Sequence, residues 1–277
     1  MGPVNDFSRE LTDSIDRVRI EIGAGLVEIT PTDGDQTHAT LAVTDGTPED
    51  ITFKVSSGEL IVELPKRQIR RGPEVHVRIQ TPGTLNARIK TGSGDIVADT
   101  PLGEARLSTG SGDIRVERTE GVLAASTGSG DIRLQHAAAP VRANTGSGDV
   151  DISTADDLVA ASTGSGNVRI GDASGPATVK VGSGDITIER IRDHSVATSG
   201  SGDVRVEYAD GPSVRAETAR GDVQIGVPDG VPTFLDLKTV TGQIRCDLEP
   251  GPQPDEGERS LMLRARTVSG DITVHKV

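Results

Sequence analysis

The sequence predicts an all-β fold, a parallel β-solenoid of roughly ten 18-residue coils with irregular coils at either end. Three observations predict it. The tetrad Gly-Ser-Gly-Asp begins at Gly92, Gly110, Gly128, Gly146, Gly164 (as Gly-Ser-Gly-Asn), Gly182 and Gly200, and every step is 18 residues. Apolar and polar residues alternate within each unit at the period of a strand. With three Phe, one Tyr and no Trp in 277 residues, the core must be built from Val, Ile, Leu and Ala.

Residues 1–14 read as an extension. Residues 15–90 carry longer, unevenly spaced strands, Arg17 to Ile22, Leu26 to Thr30, Thr40 to Val43, Ile51 to Val55, Leu60 to Leu64 and Val75 to Ile79, expected as wider opening coils or an N-terminal β-cap. Gly23-Ala24-Gly25-Leu26 and Ser57-Gly58-Glu59 look like degenerate copies of the tetrad. The regular solenoid spans 91–218. In each unit a strand follows the Asp, with inward residues such as Ile114 and Val116 or Ile132 and Leu134. After a turn comes a second strand with smaller inward residues, such as Leu123, Ala125 and Thr127. No unit can bury its apolar face alone, so equivalent residues stack in columns about 4.8 Å apart, giving a predicted length of about 50 Å. Residues 219–277 resume with looser copies at Gly221, Gly242 and Gly270, around an exposed Pro/Glu/Gly loop at 249–259. Cys246, on the inward column after Ile244, reads as a small core residue.

The net charge of −13 argues against nucleic acid as a partner, because phosphate neutralisation needs a basic face. A single cysteine excludes an intrachain disulfide and a cysteine-based zinc site. The opening MGPVNDFSREL has neither the basic nor the apolar region of a secretory signal, and no run is long enough to span a membrane. The expectation is a cytoplasmic protein without an integral membrane segment, with peripheral association with the envelope left open.

Among candidate sites the Asp column comes first: Asp95, Asp113, Asp131, Asp149, Asp185 and Asp203, with Asn167 in the series. Stacked carboxylates repel unless they share protons or bind cations, which makes a cation ladder one reading. The other is turn chemistry, each Asp accepting backbone N–H bonds beside a glycine, and Asn167 favours it because an amide oxygen still accepts. A calcium-binding nonapeptide roll does not fit, since the second half of each unit lacks the Gly/Asp set. The columns of Ser93, Ser111, Ser129 and Ser147 and of Thr109, Thr127, Thr145 and Thr163 read as ladders that satisfy turn backbones. Lys66, Arg67, Arg70 and Arg71 form the one basic cluster, which reads first as an exposed solubilising loop and, as the alternative, as a contact for an anionic partner. The five His are scattered, and no metal site, cofactor site or catalytic residue is expected.

The repeated T-G-S-G-D-I-x-V units, the Val18–Ile29 segment and the closing Leu235–Thr239 and Arg264–Val274 stretches resemble a bacterial β-strand-repeat family, of actinobacterial type, labelled "putative adhesin". The resemblance covers roughly residues 15–277. It implies a β-helical fold without an established enzyme activity, supplies no catalytic residues, and links some relatives to the cell envelope. The leading expectation is a non-catalytic binding or scaffold surface for another protein or an envelope component, offering a flat side face or a stackable end. One alternative is a self-polymerising scaffold resembling bactofilins, extended by end-to-end contacts. A second is a carbohydrate-active β-helix enzyme with paired carboxylates, against which the lack of Trp and the single Tyr208 stand.

Overall fold

The computed structural model describes residues 5–9, 14–44, 51–65, 73–249 and 260–277. They contain 27 strands and no helix, wound as parallel β-solenoid coils. The chain divides into two compact units, residues 1–139 and 140–277.

In the first unit, one wall of the coils stacks Arg17–Ile22, Leu85–Thr91, Leu102–Ser108 and Leu123–Thr127 in parallel. The other stacks Ala24–Pro31, Asp95–Ala98, Ile114–Thr119 and Ile132–Ala137. The 18-residue step places like on like, Ile96 beside Ile114 and Ile114 beside Ile132. These side chains are buried, as are Ile20, Ile89 and Leu107 on the facing wall, and each contributes about 1.5–3 kcal/mol by leaving water. The wall after each turn bends at two successive outward residues, such as Glu117 and Arg118, before Thr119 returns to the interior.

The outer edge of the first coil is covered. Glu59–Glu63 lies parallel to Arg17–Ile22, and Glu74–Thr81 parallel to Ala24–Pro31. Three antiparallel strands complete the cover: Thr52–Ser56 on Glu59–Glu63, His38–Thr44 on Glu74–Thr81, and Asn5–Arg9 on His38–Thr44. Gly23 and Gly25 do belong to the repeat, since Gly92 donates its N–H to Gly23 O and Gly94 packs on Gly25. Ser57-Gly58 does not. Both residues have positive φ, 52° and 74°, which makes them a two-residue hairpin turn of the kind that reverses a twisted strand pair.

In the second unit the walls are Val141–Thr145, Val159–Ser165, Ala177–Ser183, Ser195–Ser201 and Ser213–Arg220 on one side. Val150–Ala155, Val168–Ala173, Ile186–Ile191, Val204–Ala209 and Val223–Val227 form the other. The glycines of each turn lie against the carbonyls of the coil before. At Gly184, where φ is +139°, an added Cβ would overlap the Gly166 carbonyl oxygen, so only glycine fits.

The chain order then breaks. Leu261–Ser269 stacks directly on Ser213–Arg220, and Ile272–Lys276 on Val223–Val227. The earlier segment, Thr233–Thr241 and Ile244–Cys246, is pushed outside them as the terminal coil. Cys246 is therefore not a core residue. It occupies an inward column position, paired with Val274, but among the described residues no strand pairs with it on its other side, and it is exposed.

Candidate functional site

The Asp column is a hydrogen-bonded ladder in each unit. In the first, Asp95 Oδ1 accepts the N–H of Asp113 at 2.9 Å, and Asp113 Oδ1 that of Asp131 at 2.9 Å. In the second, the rungs run from Asp149 through Asn167, Asp185, Asp203 and Asp222 to Asp271 and Gln243, at 2.7–2.9 Å. Asn167 takes its place in the ladder unchanged, its amide oxygen accepting the N–H of Asp185 at 2.9 Å. Behind the turns the threonines are buried. The Thr127 hydroxyl donates to Gly112 O at 2.9 Å and accepts the N–H of Gly130 at 3.1 Å, tying two coils and its own turn together. Arg133 bridges outward carboxylates of Asp131 (2.6 Å) and Asp113 (3.8 Å). Lys66, Arg67, Arg70 and Arg71, and residues 250–259 of the Pro/Glu/Gly loop, lie outside the described residues.

Where the wall of the second unit bends, a groove of about 600 Å³ opens beside Asp172, Glu189, Arg190, Glu207, Tyr208 and Val277. Arg190 stands over the Tyr208 ring, 4.5 Å from its centroid. Asp172 accepts from Arg192 at 2.7 Å, and Glu189 from Arg169. Asp172 Oδ1 is buried without a hydrogen-bond partner among the described residues. Two of the groove's carboxylates are thus held by guanidinium groups.

The terminal coil differs from every coil beneath it. Thr233–Thr241 pairs with Leu261–Ser269 along one edge, and no described strand pairs with the other. Leu261 donates its N–H to Pro232 O, so by the alternation of a parallel ladder the amides of Leu235, Leu237 and Thr239 point to the open edge. At about 3.3 Å per residue this edge is about 30 Å long. Among the described residues its inward side chains are left partly open: Leu235 is 41% exposed, while its neighbour Leu263 one coil below is fully buried, and Ile244 is exposed beside buried Ile272. On the outward side Phe234, Val240, Met262 and Val268 are all more than half exposed. Phe234 lies next to Met262 in register, and between the two apolar ends stand Asp236 and Lys238. Hydrogen bonds from Arg266 and from Arg264, at 3.1 and 2.8 Å, with their positive charge, hold the Asp236 carboxyl below its ordinary value. Lys238 has no ion-pair partner among the described residues. Sequence reasoning missed this site because the repeat spacing gives the order of coils along the chain, not the order in which they stack.

No helix among the described residues is long and apolar enough to cross a membrane. A family model described as Toastrack DUF4097 matches residues 13–174 and 159–275. No curated protein matches the chain. Among solved structures it is similar to a putative adhesin from Bacteroides fragilis, at 15% identity and a TM-score of 0.42, covering 99% of this chain and 97% of that one. A putative adhesin from Parabacteroides distasonis matches at 12% identity and a TM-score of 0.41, over 100% of this chain and 98% of the other. A putative lipid binding protein from the same species matches at 11% identity and a TM-score of 0.37, over 99% and 97%.

Proposed function

The chain belongs to the Toastrack DUF4097 family, and from that premise we propose that it is a non-catalytic binding module whose working surface is the open edge of its terminal coil. One observation carries the reading: among the described residues the Thr233–Thr241 edge is unpaired, and the inward side chains beside it, Leu235 and Ile244, are left exposed. Unpaired strand edges are templates for another strand, and large exposed apolar patches mark interaction sites. The partner best suited to this edge is protein, since an added strand satisfies its N–H and C=O groups while its side chains cover the open core. A catalytic reading of the groove finds less support, because Asp172 and Glu189 are already neutralised by Arg192 and Arg169.

The test is a peptide copying residues 261–269, the strand that pairs with the opposite edge of Thr233–Thr241 in the chain itself, followed by fluorescence anisotropy against the protein. Saturable binding is expected, with loss of binding when Leu237 is replaced by proline, which removes an outward amide. Equal binding by a scrambled peptide, or no binding at all, overturns the reading.

A further inference from the structure

The edge has a property that a general strand acceptor does not need. Written along Thr233–Thr241, the segment TFLDLKTVT is nearly its own complement when reversed about Leu237. In an antiparallel pair of two such strands centred there, Thr233 meets Thr241, Phe234 meets Val240, Leu235 meets Thr239, Asp236 meets Lys238, and Leu237 meets itself. The opposite charges face each other twice, once on either side of the centre. Phe234 with Met262 comes beside Val240 and Val268 of the other strand, so four exposed apolar side chains are covered at each end. On the inward side Leu235 faces Thr239 and Leu237 faces Leu237, while Ile244 and Cys246 on the other wall come under the facing coil.

We propose that this end binds a second copy of the chain, terminal coil to terminal coil about a twofold axis through Leu237, with Thr233–Thr241 paired antiparallel and Asp236 opposite Lys238 of the partner. The inference rests on the reading of the edge as a strand acceptor and names its partner. An interface between identical surfaces is closed, so the assembly stops at two copies. The strands of the first unit's opening coil are not free to receive this edge. Both edges of Arg17–Ile22 and of Ala24–Pro31 are already occupied, by Glu59–Glu63 and Leu85–Thr91 and by Glu74–Thr81 and Asp95–Ala98.

Light scattering after size exclusion, over about a hundredfold range of concentration, reads the assembly directly. The mass should rise from 28.8 kDa to twice that value and stop. Lys238→Glu sets like charges opposite each other at both pairs and should raise the dissociation constant at least about tenfold. Asp236→Lys should do the same. An equimolar mixture of the two variants should regain dimers, because only the mixed pair restores both attractions. Circular dichroism confirms that each variant is folded, and the Lys238→Glu change touches no described ion pair. A mass fixed at 28.8 kDa, a mass that climbs beyond two copies, or a mixture that stays monomeric overturns the proposal. If the 261–269 peptide still binds a chain that remains monomeric, the edge is a strand acceptor for some other protein and only the second copy is lost. If neither binds, both readings fall.

Discussion

Replacing Asp203 by Asn and by Ala separates what the Asp column does as acceptor from what it does as charge. Asp203 Oδ1 accepts the N–H of Asp222, and its own N–H donates to Asp185 Oδ1, both at 2.8 Å. Carboxylates one coil apart, about 4.8 Å, repel by about 0.9 kcal/mol in bulk water, and 0.15 M salt reduces that to about half. Either substitution therefore relieves about 1 kcal/mol from the two charged neighbours. The hydrogen bonds push the other way. Losing a charge-assisted acceptor altogether costs about 2 kcal/mol, and exchanging it for a neutral amide about half that. Asp203→Asn should be neutral to within about 0.5 kcal/mol, as the natural Asn167 rung suggests, while Asp203→Ala should lose about 1 kcal/mol, or about 2–4 °C in midpoint. Both variants remove the same charge, so their difference measures the acceptor alone. Thermal melts followed by circular dichroism at low and high salt provide the assay. Asn should gain on wild type at low salt, and the gain should shrink as salt rises. Equal losses for Asn and Ala would refute the acceptor argument. A rise of the wild-type midpoint in millimolar calcium, absent in Asp203→Asn, would instead make the column a cation site.

Two further outcomes follow from the packing. Gly184→Ala should cost about 3 kcal/mol in urea unfolding, combining an unfavourable φ with overlap on the coil before, whereas Gly83→Ala, with open space around it, should change stability by less than about 0.5 kcal/mol; comparable losses would mean the turn can relax. Cys246 should react with a thiol reagent in the native protein at a rate close to that of a free thiol, slowing as concentration rises and the terminal coils pair, while protection at every concentration would contradict its exposure.

The solenoid itself was legible because a stacked repeat writes its contacts into the sequence. An 18-residue step makes every inward Ile or Val the neighbour of another, and Ile96, Ile114 and Ile132 pair as the spacing demands. Ser57-Gly58 was misleading for a physical reason. Small residues are needed wherever φ turns positive, and a two-residue hairpin needs them as much as a coil turn does. Composition alone does not tell the two apart. The distinction lies in the flanks, where Thr52–Ser56 and Glu59–Glu63 are separated by two residues and no Asp follows the glycine.

The exchange of coils at the C-terminal end was illegible for a deeper reason. Thr233–Thr241 and Leu261–Ser269 carry the same alternation and the same Thr-x-x-Gly ending, so either could stack on Ser213–Arg220 with its apolar residues inward. What separates them is the outward row and the small residues. Leu261–Ser269 presents Arg264 and Arg266 beside Asp236 and brings Ala265 against Ala216, a close fit between coils. Thr233–Thr241 offers Leu237 at that position, bulkier and better suited to an end where nothing yet lies above it. The segment with the self-complementary charges and the larger side chains is the one left outside. That placement fits a capped end poorly, because the strand is nine residues long, holds no proline and leaves Leu235 exposed beside its open edge. It is readily explained if the last layer of the stack is supplied by another chain.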